Sequence, residues 1–235
     1  MIKEAMKEGD FLLYESFYKL ADQKNSIKPF TFSAYFPNMT KVGSEVNEPE
    51  KLNVKPGEKL LLNFSTSSLE VGAAVYNGFC LLKGEEKGYD FFGGKIFVKS
   101  IQLKPARSIR SNSVCFKTLS PVLLSRKPET DEEKKYVLPG EEGFEECLCF
   151  NLSEMSKAFL GITLKNKPVL TPTKGGRKVV YHYGQNIPGY SGYFRLEAQK
   201  EILNLVYFAG LGVRRSQGFG MLEVATEQKE EGERV

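Results

Sequence analysis

The segment Gly210-Leu-Gly-Val-Arg-Arg-Ser-Gln-Gly-Phe-Gly220 constrains the fold of this chain more than any other. It lies between two different hydrophobic periods. Gln199–Ala209 places Ile202, Leu205, Val206 and Ala209 on one helical face, and Gly218–Val224 alternates as a strand. A helix must therefore pass into a strand through glycines. Glycine permits positive φ and close backbone approach, and successive amides in such a loop can form an anion nest. Arg214 and Arg215 add charge, and Ser216 and Gln217 add neutral donors. A dinucleotide loop is excluded, because GxGxxG would need glycine at position 215 and would run from strand into helix. A Walker A loop is excluded for want of GK[ST]. Two readings stay open: a glycine helix cap followed by a turn, and a phosphate-binding loop of Gly210, Gly212, Arg214, Arg215, Ser216, Gln217, Gly218 and Gly220. The doubled GxG enclosing two arginines favours the second.

The rest of the chain is organised around the same alternation of periods. Ile2 to Ala21 reads as helix interrupted at Gly9-Asp10. Lys28–Phe36 and Glu58–Thr66 read as strands, and Ser67-Ser-Leu-Glu70 as a capping box. The helix it opens has Leu69, Ala73, Tyr76 and Cys80 as its apolar stripe. Lys95–Leu103 is a third strand. Residues 106–113 form a linker. The second half then reads β-α-β-β-α-β: Val114–Leu124, a helix over Phe144–Leu160, strands near Val179–Tyr183 and Tyr190–Ala198, the Gln199–Ala209 helix and a final strand. The expected class is α+β, with two tandem ferredoxin-like units, residues 1–105 and 114–225, followed by an acidic tail, 226–235. The first unit lacks its opening strand.

Composition narrows the function classes. The net charge of +4 is uneven: Glu129–Glu146 holds eight acids and two bases, and Thr226–Val235 four acids and two bases, so the remaining residues carry +12. A basic body with solvated acidic edges suits a polyanion partner. The longest apolar run, Ile202–Val213, has 12 residues and contains Asn204, too short to cross a bilayer, and no signal peptide is visible. Cys80, Cys115, Cys147 and Cys149 form no CxxC pair and read as buried thiols of a cytoplasmic protein. With one histidine, His182, and no cluster at ligand spacing, neither a metal site nor a cofactor is expected.

Four segments carry a resemblance to the CRISPR repeat-RNA-processing endoribonucleases of the RAMP superfamily. The Gly210–Gly220 segment resembles their C-terminal GΦGxxxxxGΦG loop. Lys28-Pro-Phe-Thr-Phe-Ser33 is similar to their K-x-F-T-F/Y-S strand, Phe116-Lys-Thr-Leu-Ser-Pro121 to a T-L-S-P strand, and Gly189-Tyr-Ser-Gly-Tyr-Phe194 to a GxxGxF strand. The resemblance implies tandem ferredoxin-like domains that bind the repeat of precursor CRISPR RNA. It also implies metal-independent cleavage, in which a 2′-hydroxyl attacks the adjacent phosphate to leave a 2′,3′-cyclic phosphate and a 5′-hydroxyl. The alternative is a non-catalytic RNA-binding or structural subunit of a CRISPR effector complex. Members commonly open with a strand and a helix bearing an active-site tyrosine, which the sequence as given lacks before Met1. They also commonly carry a catalytic histidine just before the K-x-F-T strand. Ala21 stands at the matching position, or Tyr18 if the gap falls differently. A divergent, non-cleaving member and a histidine-to-alanine change at position 21 both account for this.

Lys28 matches the family's active-site lysine and would neutralise charge on the phosphorane; an ordinary solvated strand start is the plainer reading. Tyr18 could align a 2′-hydroxyl, or simply pack. Lys174, Arg177 and Lys178, around Gly175-Gly176 in a turn, and the series Lys95, Lys99, Lys104, Arg107 and Arg110 suit contacts to an RNA backbone. His182, in a Val-Val-Tyr-His-Tyr strand, could touch RNA, act as a general base or be structural.

Overall fold

The computed structural model describes residues 1–19, 27–37, 40–42, 51–53, 55, 57–83, 88–91, 94–126 and 136–227. Internal contacts divide the chain into two units, Met1–Phe30 with Thr66–Ser108, and Thr31–Ser65 with Ile109–Val235. The elements in order are α1 (Ile2–Gly9), α2 (Phe11–Tyr18), β1 (Phe30–Tyr35), β2 (Thr40–Val42), β3 (Lys51–Asn53), β4 (Leu61–Thr66), α3 (Leu69–Lys83), β5 (Tyr89–Phe91) and β6 (Gly94–Ile96). They continue with β7 (Ser113–Thr118), β8 (Leu124–Ser125), β9 (Tyr136–Val137), α4 (Phe144–Leu160), β10 (Val169–His182), β11 (Gln185–Glu197), α5 (Lys200–Ala209) and β12 (Leu222–Glu227). No helix of the described residues is long and apolar enough to cross a membrane.

In the first unit the break between α1 and α2 falls at Asp10, whose carboxylate accepts from the Leu13 amide at 2.9 Å and caps α2. The α3 cap is Ser68, one residue beyond the expected Ser67: its hydroxyl accepts from the Val71 amide at 3.2 Å. The buried face of α3 is also not the expected one. Val71, Ala74, Val75 and Gly78 are buried, while Leu69 is 94% exposed and Ala73, Tyr76 and Cys80 face outward; of the four thiols expected to be buried, only Cys147 is, and Cys80 is exposed. Close packing of α1 on α3 explains the choice. A Cβ on Gly78 would overlap the Ala5 carbonyl, and one on Gly9 the Ala74 carbonyl, so only small residues fit at this crossing. The expected strand Lys95–Leu103 is replaced by the short β5–β6 hairpin, and residues 97–103 carry no strand.

The second unit has a four-stranded antiparallel sheet in the order β10-β11-β7-β12, with α4 joining β7 to β10 and α5 joining β11 to β12. This is the β-α-β-β-α-β unit expected of its sequence. Leu148, Leu152 and Met155 of α4 and Ile202, Leu203 and Val206 of α5 are buried at 0–1% exposure, with Phe116 and Phe194 beneath at 0%. Those two phenylalanines are cross-strand partners with centroids 5.9 Å apart. Burying one such ring contributes about 2–3 kcal/mol. Residues 106–113, expected as a linker, include Ile109 at 2% exposure, clamped at its amide and carbonyl by the Asn204 side chain at 2.9 and 2.8 Å. The expected strand Val114–Leu124 breaks after Thr118. β10 and β11 are much longer than expected, and they meet in a two-residue turn at Tyr183-Gly184, where both φ angles are positive.

Candidate functional site

In the second unit, the glycine segment is knitted to its surroundings by backbone hydrogen bonds. Gly210, Gly212, Gly218 and Gly220 have φ of 83, 92, 93 and 71°. The Leu211 amide donates to Gly220 O at 2.9 Å, Val213 to Leu123 O at 2.8 Å, and Gly220 to Pro121 O at 2.8 Å. Gln217 and Gly218 donate to Arg214 O and Arg215 O, closing a 3₁₀ turn over Arg215–Gln217. A Cβ at Gly212 would run into the Leu123 carbonyl, and one at Gly220 into the Leu211 carbonyl. These five amides face protein carbonyls and are not open to an anion. The loop also presents side chains: Arg214 and Ser216 half-buried, Gln217 exposed.

The two arginines part company. Arg214 takes the left-handed conformation at φ 57°, and its guanidinium lies 5.8 Å from the centre of the Tyr136 ring. Arg215 turns inward to 5% exposure, against Met155 Sδ and 5.9 Å from the Phe159 ring centre. Burial lowers its pKa to about 10. Arg215, expected among the phosphate-binding residues, is thus a core side chain. Thr31 supports the loop from β1: fully buried, its hydroxyl donates to Phe219 O at 2.8 Å. Sequence reasoning missed this residue, although a threonine between two phenylalanines in the K-x-F-T strand was its signal.

His182 meets the loop directly. Its Nε2 lies 3.0 Å from Gln217 Oε1, and its ring packs edge-on to Phe219 at 5.2 Å and to Tyr183 at 4.5 Å. With an amide oxygen as acceptor, Nε2 carries the proton. Lys174, Arg177 and Lys178 lie within edge strand β10, not in a turn, and all three are exposed. Gly175 sits opposite Gly192, where a side chain on either would strike the other's strand. The hairpin and the loop therefore meet at His182–Gln217, with Arg214 and Ser216 beside Gln217 in the loop and Lys174, Arg177 and Lys178 further along β10, Arg177 and Lys178 on opposite faces of the strand.

In the first unit, Lys28 Nζ lies 3.8 Å from the centre of the Tyr18 ring. Lys3, which sequence reading did not single out, lies 4.8 Å from the same centre. Burial, then the charge of Lys3, lowers the Lys28 pKa from the ordinary lysine value; burial, reinforced by Tyr14, pushes Tyr18 up to about 12. Lys28 thus gives up a proton more readily than a free lysine, and Tyr18 stays a neutral phenol. Ala21 lies outside the described residues. Among the described residues no group of three or more His, Cys, Asp or Glu side chains converges as a metal site would require.

Residues 103–224 match the family model "CRISPR associated protein Cas6, C-terminal". Among solved structures, a Cas6-related protein from Pyrococcus furiosus superposes with a TM-score of 0.78 at 20% identity, covering 97% of this chain and 88% of that one. A RAMP protein described as binding different RNA substrates gives 0.72 at 18% identity, covering 96% and 88%. A CRISPR-associated Cas6 protein gives 0.67 at 20% identity, covering 95% and 92%. No curated protein matches the sequence. These likenesses extend the tandem ferredoxin-like fold to the whole chain.

Proposed function

The chain belongs to the CRISPR-associated Cas6 family, and on that premise we propose that it binds CRISPR repeat RNA on the surface where the β10–β11 hairpin meets the glycine segment. The observation that carries this reading is the His182–Gln217 contact, through which the tip of the cation-bearing hairpin meets the loop. Cations on an exposed edge strand suit phosphates, and Ser216 and Gln217 suit sugar or base edges. One of the structural relatives is described as binding RNA.

Cleavage requires a bond from the 2′-oxygen to phosphorus, rupture of the bond from phosphorus to the 5′-oxygen, and two proton transfers. The 2′-hydroxyl must lose its proton to a base, and the departing 5′-oxygen must gain one. Lys28, with its lowered pKa, serves as a cation for the phosphorane and as a proton donor to the leaving oxygen. Tyr18, held protonated by burial, orients the 2′-hydroxyl and does not deprotonate it. Ala21 supplies no base. These residues favour tight binding with slow or no cleavage, which also suits the second reading, a non-catalytic RNA-binding subunit of an effector complex.

The test is binding and single-turnover cleavage of a cognate repeat RNA in EDTA. Affinity should fall steeply with salt, and any product should end in a 2′,3′-cyclic phosphate. Repeat RNA bound no tighter than a scrambled strand overturns the binding assignment, and a divalent-ion requirement for bond cleavage overturns the chemistry.

A further inference from the structure

Helix α2, Phe-Leu-Leu-Tyr-Glu-Ser-Phe-Tyr, buries none of its eight residues, although it is the most aromatic helix of the chain. Phe11, Tyr14 and Tyr18 recur at i, i+3 and i+7 and form a row along one side. Neighbouring ring centres are 6.3 and 5.3 Å apart, and the planes tilt by only 32 and 35°. Phe11 is 48% exposed, and Tyr14 and Tyr18 are half-buried. Lysine ends line the row: Lys3 lies 5.7 Å from the Tyr14 centre and 4.8 Å from that of Tyr18, Lys28 3.8 Å from Tyr18, and Lys19 5.3 Å from Phe11. Glu15 engages Lys19 at 2.9 Å. Lys3 is held instead over aromatic faces. Packing alone does not account for an unburied ladder of three rings edged with ammonium groups.

We propose that the Phe11–Tyr14–Tyr18 row is a stacking platform for unpaired RNA nucleotides, with Lys3 and Lys28 taking the phosphates between them. Repeating aromatic faces along a cationic track suit single strands, since every base has a π-face and successive phosphates follow the bases. An arriving nucleotide brings both groups. Its base displaces a lysine end from a ring, and that ammonium moves to the phosphate, exchanging an exposed cation–π contact for a stack and a charge-assisted contact. The neutral state of Tyr18, whose burial pushes its pKa up to about 12, keeps the platform free of negative charge. The proposal rests on the RNA-binding reading above and extends it from Tyr18 and Lys28 along α2 to Tyr14, Phe11 and Lys3, adding a ligand class, single-stranded nucleotides.

The test compares a ten-nucleotide oligoadenylate with an abasic ribose-phosphate strand of equal length, by fluorescence anisotropy on the full chain. Wild type should hold oligoadenylate at least tenfold tighter than the abasic strand. Phe11→Ala with Tyr14→Ala should weaken oligoadenylate by roughly 5- to 150-fold, the range for loss of one base stack, and leave abasic binding unchanged. Lys3→Ala should weaken both strands. Phe11→Leu with Tyr14→Leu retains apolar bulk and should behave like the alanine pair, which separates stacking from helix stability. Equal binding of the two strands by wild type, or unchanged oligoadenylate affinity in both folded double variants, overturns the platform. A Lys174→Ala/Arg177→Ala/Lys178→Ala variant, assayed with repeat RNA, reports on the β10–β11 surface, so failure of one site is distinguished from failure of the other.

Discussion

Arg214 and Arg215 are adjacent in sequence and chemically identical, yet the structure assigns them opposite consequences. Arg214 is half-buried at the edge of the loop, whereas Arg215 is 5% exposed against Met155 and Phe159. If Arg214 neutralises one phosphate, Arg214→Ala reduces the slope of log affinity against log salt by about 0.7–0.9. Arg215→Ala leaves that slope alone and should fall roughly 2–4 kcal/mol below Arg215→Met in stability, the cost of the void it leaves. Arg215→Met separates packing from charge. The fall of the Arg215 pKa from 12.5 to about 10 puts the penalty for keeping it charged in the core near ~3 kcal/mol. Methionine removes that penalty and fills most of the void, so Arg215→Met should be more stable than Arg215→Ala. Urea titrations and RNA affinities at four salt concentrations decide the matter. A folded Arg215→Ala protein with a lowered salt slope, or Arg215→Met less stable than Arg215→Ala, refutes the reasoning.

Gly212→Ala should cost several kcal/mol, because φ is 92° and the new methyl group would meet the Leu123 carbonyl; a midpoint within 0.2 M urea of wild type contradicts this. Tyr18 keeps its proton in the folded state up to about 12 but loses it near 10 when unfolded, so it contributes a loss of stability as pH rises from 10 to 12. Tyr18→Phe should flatten that alkaline limb, and an identical limb in the variant counts against the raised value. Ala21→His should raise single-turnover cleavage of repeat RNA by roughly 10²–10⁴-fold if position 21 is the family's base site. If Tyr18→His raises the rate and Ala21→His does not, the gap in the motif alignment is misplaced.

The elements legible from sequence are those whose own residues bury a single stripe. Helix α4 spans Phe144–Leu160 as its Leu148, Leu152, Met155 and Phe159 spacing requires, with left-handed glycines 143 and 161 at its ends. Helix α3 fails the same test for a physical reason. It has two apolar faces, and the one with the smaller side chains is buried because Gly9 and Gly78 let α1 approach more closely than Tyr76 or Leu69 would allow. Periodicity identifies a face but does not weigh how near a partner can come. Strand β10 was half-hidden for a different reason. Residues 169–178 lack alternating hydrophobicity, because the strand is an exposed edge held by its ladder with β11 and not by burial.

The glycine segment shows where residue type stops predicting role. Its position between a helix and a strand follows from the flanking periods, and the positive φ angles at its four glycines follow from the glycines themselves. The direction of each arginine follows from neither. The left-handed backbone at Arg214, followed at once by a 3₁₀ turn, sends the two side chains to different surroundings. A dipeptide that reads as doubled charge thus delivers one cation to the surface and one to the core. Of the amides read as an anion nest, those of Val213 and Gly220 are claimed by Leu123 and Pro121, contacts across long sequence separations that no local pattern encodes. Among the side chains, Gln217 is already bound to His182. Changes at Gln217 or His182 should alter RNA affinity through one shared contact, so their combined effect should be smaller than the sum of the two.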